Sequence, residues 1–297
     1  MTSQESKSAP STETSIHGNG FRISALRCLL PMVCRMAPNL AARVCLRLFL
    51  TPARTKWPAW ERAFLAKAVM STLPFGSHQI AIYRWGQGAK KILLCHGWSG
   101  RGSQLGAFVQ PLVDADYSVY AFDAVGHGGS SGKQTDMIEY SDLIGHLVQS
   151  LGPCEAMIGH SFGAANVVIA KSRHRFETGK LVLLSCFSDG EWVLNRFADF
   201  LNISPRVLRN LKDLHERRYD SSFSWSEMNI ANMVRKEAIP VLFIHDRKDR
   251  EVPHAQMEVF SGSGKPNFRF ISTEGLGHRR IILDKNVVRQ VCQFVAG

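Results

Sequence analysis

The chain of 297 residues predicts an α/β protein built on a mostly parallel sheet with helices on both faces. Three observations predict it. Short apolar strands alternate with helical stretches from about Gln79 onward. One interval of about fifty residues, 187–238, breaks that rhythm and carries aromatic residues, which points to an inserted helical cap. The composition, 45% hydrophobic and 21% charged, is that of an ordinary soluble globular protein with a sizeable core. It excludes a fibrous, collagen-like or mostly disordered chain. The seven cysteines are odd in number and scattered without a CxxC pair, so neither a disulfide scaffold nor a zinc finger is expected. They read as reduced thiols in a cytoplasmic protein.

Residues 1–20 are rich in Ser and Thr and read as a disordered tail. Residues 21–70 form a basic helical extension. Between Phe21 and Lys67 stand nine basic residues and the single acid Glu61, which supplies +8 of the net charge of +11. The remainder is close to neutral, so the basic pI does not indicate a nucleic-acid enzyme. Neither a secretory signal nor a membrane span is expected, because Arg27, Pro31, Arg35 and Pro38 interrupt the apolar stretch. From Leu40 to Leu50 the pattern is helical, with Arg43 and Arg47 interleaved. Such a helix either packs on the domain surface with its arginines in solvent or touches anionic lipid, giving peripheral membrane contact through residues 21–50. A face for a partner macromolecule is a third reading.

Residues 71–297 form the main domain. Strands are predicted at Gln79 to Arg84 and Lys91 to Cys95, joined by the turn Gly86-Gln87-Gly88. Further strands follow at Ser118 to Phe122, Ala156 to Gly159, Lys180 to Ser185, Pro240 to His245 and Phe268 to Ser272. Helices are predicted over Gln104 to Asp114, Thr135 to Ser150, Phe162 to Arg173 and Ile281 to Val295.

Gly159-His160-Ser161-Phe162-Gly163 matches G-x-S-x-G. The pentapeptide alone is weak, but it follows an apolar strand and opens a helical run, the setting of a nucleophile elbow. A serine needs a base, and the base an orienting acid. Asp249 and His278 follow in that chain order, each just beyond the C-terminal end of a strand, where open α/β sheets place their sites. Gly275 and Gly277 let the loop carry the imidazole over the sheet. The N–H of Phe162 is expected as one oxyanion donor, and the N–H of Trp98, after the strand ending at Cys95, as the other. His96 is expected to brace that loop by a side-chain hydrogen bond. Asp246 is expected to close a turn on its own backbone. Trp192, Phe197 and Trp225 of the cap are candidate pocket residues, with core packing as the competing account.

In these features the chain resembles the α/β-hydrolase-fold serine hydrolases of the esterase and lipase kind, from about Phe75 to Gly297. Four motifs match in order: His96-Gly97-Trp98, the turn Asp123 to Ser130, the Ser161 elbow, and Asp249 with Val252-Pro253 before His278. The resemblance implies an eight-stranded sheet with a cap after the sixth strand, a structural role for the Asp123 to Ser130 turn, and Asp249 as the triad acid. Relatives that open epoxides or remove halide carry aspartate at the elbow, whereas this chain carries Ser161. An acyl-enzyme on Ser161 is therefore expected, with His278 as base, no metal or cofactor, and an acyl ester or thioester as substrate. An acyltransferase, a carbon–carbon hydrolase, a cofactor-free haloperoxidase and a non-catalytic scaffold binding through the basic segment stay open. Arg279 and Arg280, at the start of the predicted last helix, are either neutralised and solvated or meet an anionic part of the substrate.

Overall fold

Leu93, Ile158, Leu183 and Phe243 belong to strand segments whose residues are buried on both sides, so their apolar runs are nearly continuous and not alternating. Strands of that kind belong in the middle of a parallel sheet covered on two faces. The computed structural model describes residues 30–220 and 222–297 and contains such a sheet. Its strands are β1 (Val69–Phe75), β2 (His78–Trp85), β3 (Lys90–Cys95), β4 (Tyr117–Phe122), β5 (Cys154–His160), β6 (Thr178–Leu184), β7 (Val241–Asp246) and β8 (Phe268–Thr273). They lie in the order β1-β2-β4-β3-β5-β6-β7-β8. The pairs β1–β2 and β2–β4 are antiparallel and the rest parallel.

The helices are α1 (Pro38–Phe49), α2 (Ala59–Leu65), α3 (Val109–Asp114), α4 (Met137–Leu151), α5 (Phe162–His174), α6 (Gly190–Leu201), α7 (Pro205–Glu216), α8 (Ile230–Arg235), α9 (Ala255–Ser261), α10 (Gly277–Arg280) and α11 (Lys285–Ala296). Alternate strand residues feed two cores. Leu93, Met157 and Leu183 pack with α4, α5 and the cap helices α6 to α8 on one face. Ile92, Ile158 and Val182 pack with α3 and α11 on the other. The insertion between β6 and β7 is helical, as expected.

Four details differ from the sequence reading. Strand β1 goes unrecognised there because it is a largely exposed edge strand with little apolar contrast. Strands β2 and β3 are consecutive but not neighbours, since β4 lies between them. The expected helix Gln104 to Asp114 is a 3₁₀ segment, Gly102–Phe108, that runs into α3. The last helix starts at Lys285 and not at Ile281, because the Asp284 carboxylate caps it by accepting from the N–H of Asn286 and Val287.

The expectation for residues 1–20 lies outside the described residues. The described part of the extension is fastened into the domain. Helix α1 rests on α7, with Ala41, Ala42, Cys45 and Leu46 buried and Arg43 and Arg47 exposed. The Arg54 guanidinium donates to the carbonyls of Gly126, Ser130 and Gly132. The Arg101 guanidinium meets the Glu61 carboxylate through two nitrogens, and the Ser103 hydroxyl donates to the same carboxylate. Glu61 and Arg101 are only 2% and 4% exposed. Among the described residues no helix is long and apolar enough to cross a membrane.

A buried guanidinium stripped of its carboxylate carries an uncompensated charge. Glu61→Ala is therefore expected to cost about 3–5 kcal/mol in chemical denaturation. A loss below about 1 kcal/mol would show that the extension is not held by this pair.

Candidate active site

Strand β5 delivers its last residue, His160, to a turn so sharp that Ser161 takes φ 53° and ψ −117°. A non-glycine residue there is strained by about 1–3 kcal/mol, and the surrounding structure must hold it. Two bonds do so: the Ser161 N–H donates to the Leu184 carbonyl at 2.8 Å, and the Ser161 carbonyl accepts from Ala165. Helix α5 starts at the next residue and presses against the end of β3. A Cβ on Gly163 would stand 2.2 Å from the carbonyl oxygen of Cys95 and 2.5 Å from that of His96, so only glycine fits. The loop after β3 touches the serine as well, since a Cβ on Gly97 would lie 3.3 Å from the Ser161 Cβ.

The structure brings Asp249 and His278 together. His278 Nδ1 lies 2.7 Å from Asp249 Oδ2, and both side chains are buried. Asp249 Oδ1 accepts from the N–H of Glu251 and of Val252, each at 2.9 Å. Burial alone would raise the Asp249 pKa. The His245 and His278 rings and the Val252 N–H outweigh it and hold the carboxyl well below the usual carboxylate range. An ionised Asp249 accepts the Nδ1 proton of His278 and leaves Nε2 for the cavity that His278 shares with Ser161.

Asp246 has a second task besides the expected self-closing turn. Its Oδ1 accepts from the Lys248 N–H, and its Oδ2 accepts from the Thr273 hydroxyl and the Leu276 N–H, at 2.8 and 2.9 Å. Burial works against its charge, but these donors, with the Gly277 N–H, lower its pKa to about 2. Asp246 thereby clamps the loop that carries His278. In that loop Gly275 and Gly277 have φ of 81° and 66°, with open space around both, so glycine is required there for its backbone freedom and not for room.

His96 braces its loop as expected. Its Nδ1 meets the Gly97 carbonyl at 2.8 Å and its Nε2 accepts from the Ala124 N–H at 3.0 Å. Burial lowers its pKa to about 4, which keeps the ring neutral. The Asp123 to Ser130 turn is tied by Asp123, which accepts from Gly102, Gly129 and the Tyr83 hydroxyl. Of the two expected oxyanion donors, Phe162 stands at the first position of α5, where no carbonyl of the helix reaches its N–H. The Trp98 indole packs edge-on against the Phe162 ring at 5.0 Å.

Ser161 and His278 open into one cavity of about 290 Å³. Trp192, Phe197 and Trp225 all line it, as do Trp98 and Phe162. The sequence reading missed several of its walls. Leu48 and Phe49 come from the N-terminal extension, and Phe49 meets Phe197 and Trp225 edge-on at 5.1 and 6.0 Å. No local signal marks them, because helical apolar spacing looks the same whether a residue faces a core or a cavity. Asp136 is another. It caps α4 through the N–H of Ile138 and Glu139, and it also binds His215 and the Tyr219 hydroxyl of the cap. The spacing of Asp136 and Glu139 signals a helix start, but nothing signals the partners in the cap.

In the sequence His160 stands out only as part of the elbow. Its Nε2 meets the backbone carbonyl of His278 at 2.9 Å, and the two rings lie 4.8 Å apart. Burial and the neighbouring His278 lower its pKa to about 3, so the ring is neutral and Nε2–H donates. Arg279 and Arg280 do not line the cavity. Arg279 pairs with Glu251 at 3.0 Å, and Arg280 donates to the carbonyls of Leu276 and Gly275.

The model of the alpha/beta hydrolase family matches residues 92–288, more than half of the chain. A non-heme haloperoxidase of Rhodococcus erythropolis is 24% identical over 249 residues, covering 69% of this chain and 90% of its own length. Two solved structures share the fold. An esterase from Exiguobacterium antarcticum is 14% identical with a TM-score of 0.58, over 74% of this chain and 96% of its own. A membrane phospholipase A, described as a bacterial virulence factor, is 15% identical with a TM-score of 0.60, over 94% and 99%. The chain belongs to the alpha/beta hydrolase family.

Proposed function

We propose that the protein is a serine hydrolase that cleaves a carboxylic ester or thioester through an acyl-enzyme on Ser161. One observation carries the reading: the strained Ser161 and the His278 that Asp249 holds open into the same largely apolar cavity. In the proposed sequence, His278 Nε2 removes the Ser161 hydroxyl proton as Oγ attacks the substrate carbonyl. The N–H groups of Phe162 and Trp98 stabilise the tetrahedral oxyanion, and the alcohol or thiol leaves with the proton from His278. Water then repeats the two steps and frees the acid. Asp249 stays ionised and offsets the imidazolium charge. The aromatic walls from Trp192, Phe197 and Trp225 favour an apolar acyl or aryl group. The haloperoxidase relative supports a second reading, in which the same acyl-enzyme is attacked by hydrogen peroxide. Halide oxidation in acetate buffer with peroxide separates the two.

Ser161→Ala is expected to lower hydrolysis of nitrophenyl esters by roughly 10³-fold or more while the fold is kept. A variant retaining a tenth of wild-type turnover would end this reading. Asp249→Asn is expected to lower kcat by about 10²- to 10⁴-fold, because the imidazole loses its orienting charge. Asp246→Asn is expected to cost stability, about 1 kcal/mol, with activity within roughly tenfold. The reverse order of the two would place the acid at Asp246. His160→Phe removes the donor to the His278 carbonyl and is expected to lower kcat by roughly tenfold with little change in KM. An unchanged kcat would make that contact purely structural.

A further inference from the structure

Helix α1 is apolar on two sides. Ala41, Ala42, Cys45 and Leu46 face the protein and are buried. On the outside, Leu40, Val44 and Leu48 are 56%, 41% and 41% exposed. They stand four residues apart and so form one row on the helix surface. Upstream, beyond the break in the helix at Ala37 (φ −141°, ψ 67°), Met32 and Met36 are 57% and 78% exposed in the separate helical residues 30–36. Arg43 and Arg47 lie on the same helix and Arg35 precedes it, all exposed and without an ion-pair partner among the described residues. No acidic residue occurs between Leu30 and Trp60. The far end of the row reaches the candidate site, because Leu48 lines the cavity.

We propose that this face docks on an anionic lipid bilayer. Helix α1 and the helical residues 30–36 before it lie along the interface, with Met36, Leu40 and Val44 at the acyl boundary and the three arginines on the headgroup phosphates. Charge selects this occupant. Two copies of the chain meeting through the face would bring six arginines together with no carboxylate from the segment to neutralise them. A bilayer supplies both the apolar layer and the negative charge. The docking stands independently of the ester-hydrolase reading. Its consequence, an apolar acyl group passing from the bilayer past Leu48 into the cavity, rests on that reading.

Flotation of the full chain with vesicles reads the docking without any turnover. Vesicles of phosphatidylcholine alone are compared with vesicles containing about 30 mol% phosphatidylglycerol, at low salt and at about 0.5 M salt. The wild type is expected to float with the anionic vesicles at low salt, about tenfold less with the neutral ones, and less as salt rises. Two triple variants, Met36→Ser with Leu40→Ser and Val44→Ser, and Arg35→Gln with Arg43→Gln and Arg47→Gln, are each expected to lower partitioning by about tenfold or more. Thermal midpoint and hydrolysis of a short water-soluble ester should stay at wild-type levels in both. Three results would overturn the proposal: a wild type that ignores anionic vesicles, a serine variant that floats like wild type, or a wild-type dimer in sedimentation velocity that the serine variant splits. Flotation without ester turnover would uphold the docking and end the hydrolase reading.

Discussion

The approach of Gly163 to the carbonyl oxygens of Cys95 and His96 is the contact on which the site depends. Two backbones meet there with no room for a methyl group, which presses the start of α5 onto the end of β3. The elbow is caught between that helix and β6, to which Ser161 bonds through Leu184. A serine at φ 53° is unfavourable in isolation, and the packing on both sides overcomes that cost. The same contact brings the β3 loop, at Gly97, against the serine. Sheet packing and the geometry of the candidate site are therefore one constraint.

The candidate base reaches this place from the loop after β8, at the same C-terminal end of the parallel strands, through separate anchors. Asp249 orients the ring of His278, Asp246 holds the loop through Thr273 and Leu276, and His160 fixes the backbone of His278. His160 is the residue just before the serine, so Ser161 and the backbone of His278 are tied through adjacent residues. The cavity above them is assembled from three regions: the core domain, the cap and the N-terminal extension. Asp136 joins the first two through His215 and Tyr219, and Phe49 packs the third against Phe197. Within α1 only the C-terminal Leu48 and Phe49 reach the wall of the site, while Leu40 and Val44 stay on the outer surface.

The parallel sheet, the elbow and the loop that carries His278 were legible in the sequence because each leaves a local mark, whereas the choice of Asp249 over Asp246 as partner of His278 came from the family resemblance. Apolar runs bounded by turns mark the central strands, and glycines mark the elbow and the His278 loop. What was not legible depends on contacts remote in the chain. Strand β1 is an exposed edge whose pairing with β2 leaves no apolar signature. The position of β4 between β2 and β3 is a matter of topology, invisible in a short connecting turn. The roles of His160 and Asp246 lie in partners 118 and 30 residues away. The start of α11 was misplaced because the apolar residues Ile281 and Ile282 continue the helical pattern, while the Asp284 cap sets the actual boundary.

The central claim is that Ser161 is a nucleophile activated by the folded site. The most direct measurement is peptide mapping by mass spectrometry after reaction of the native protein with a fluorophosphonate. The account predicts a single phosphonyl adduct on Ser161, formed far more slowly in His278→Ala and absent after unfolding. A native protein that takes no label, or takes it on another residue while Ser161 stays free, would contradict it.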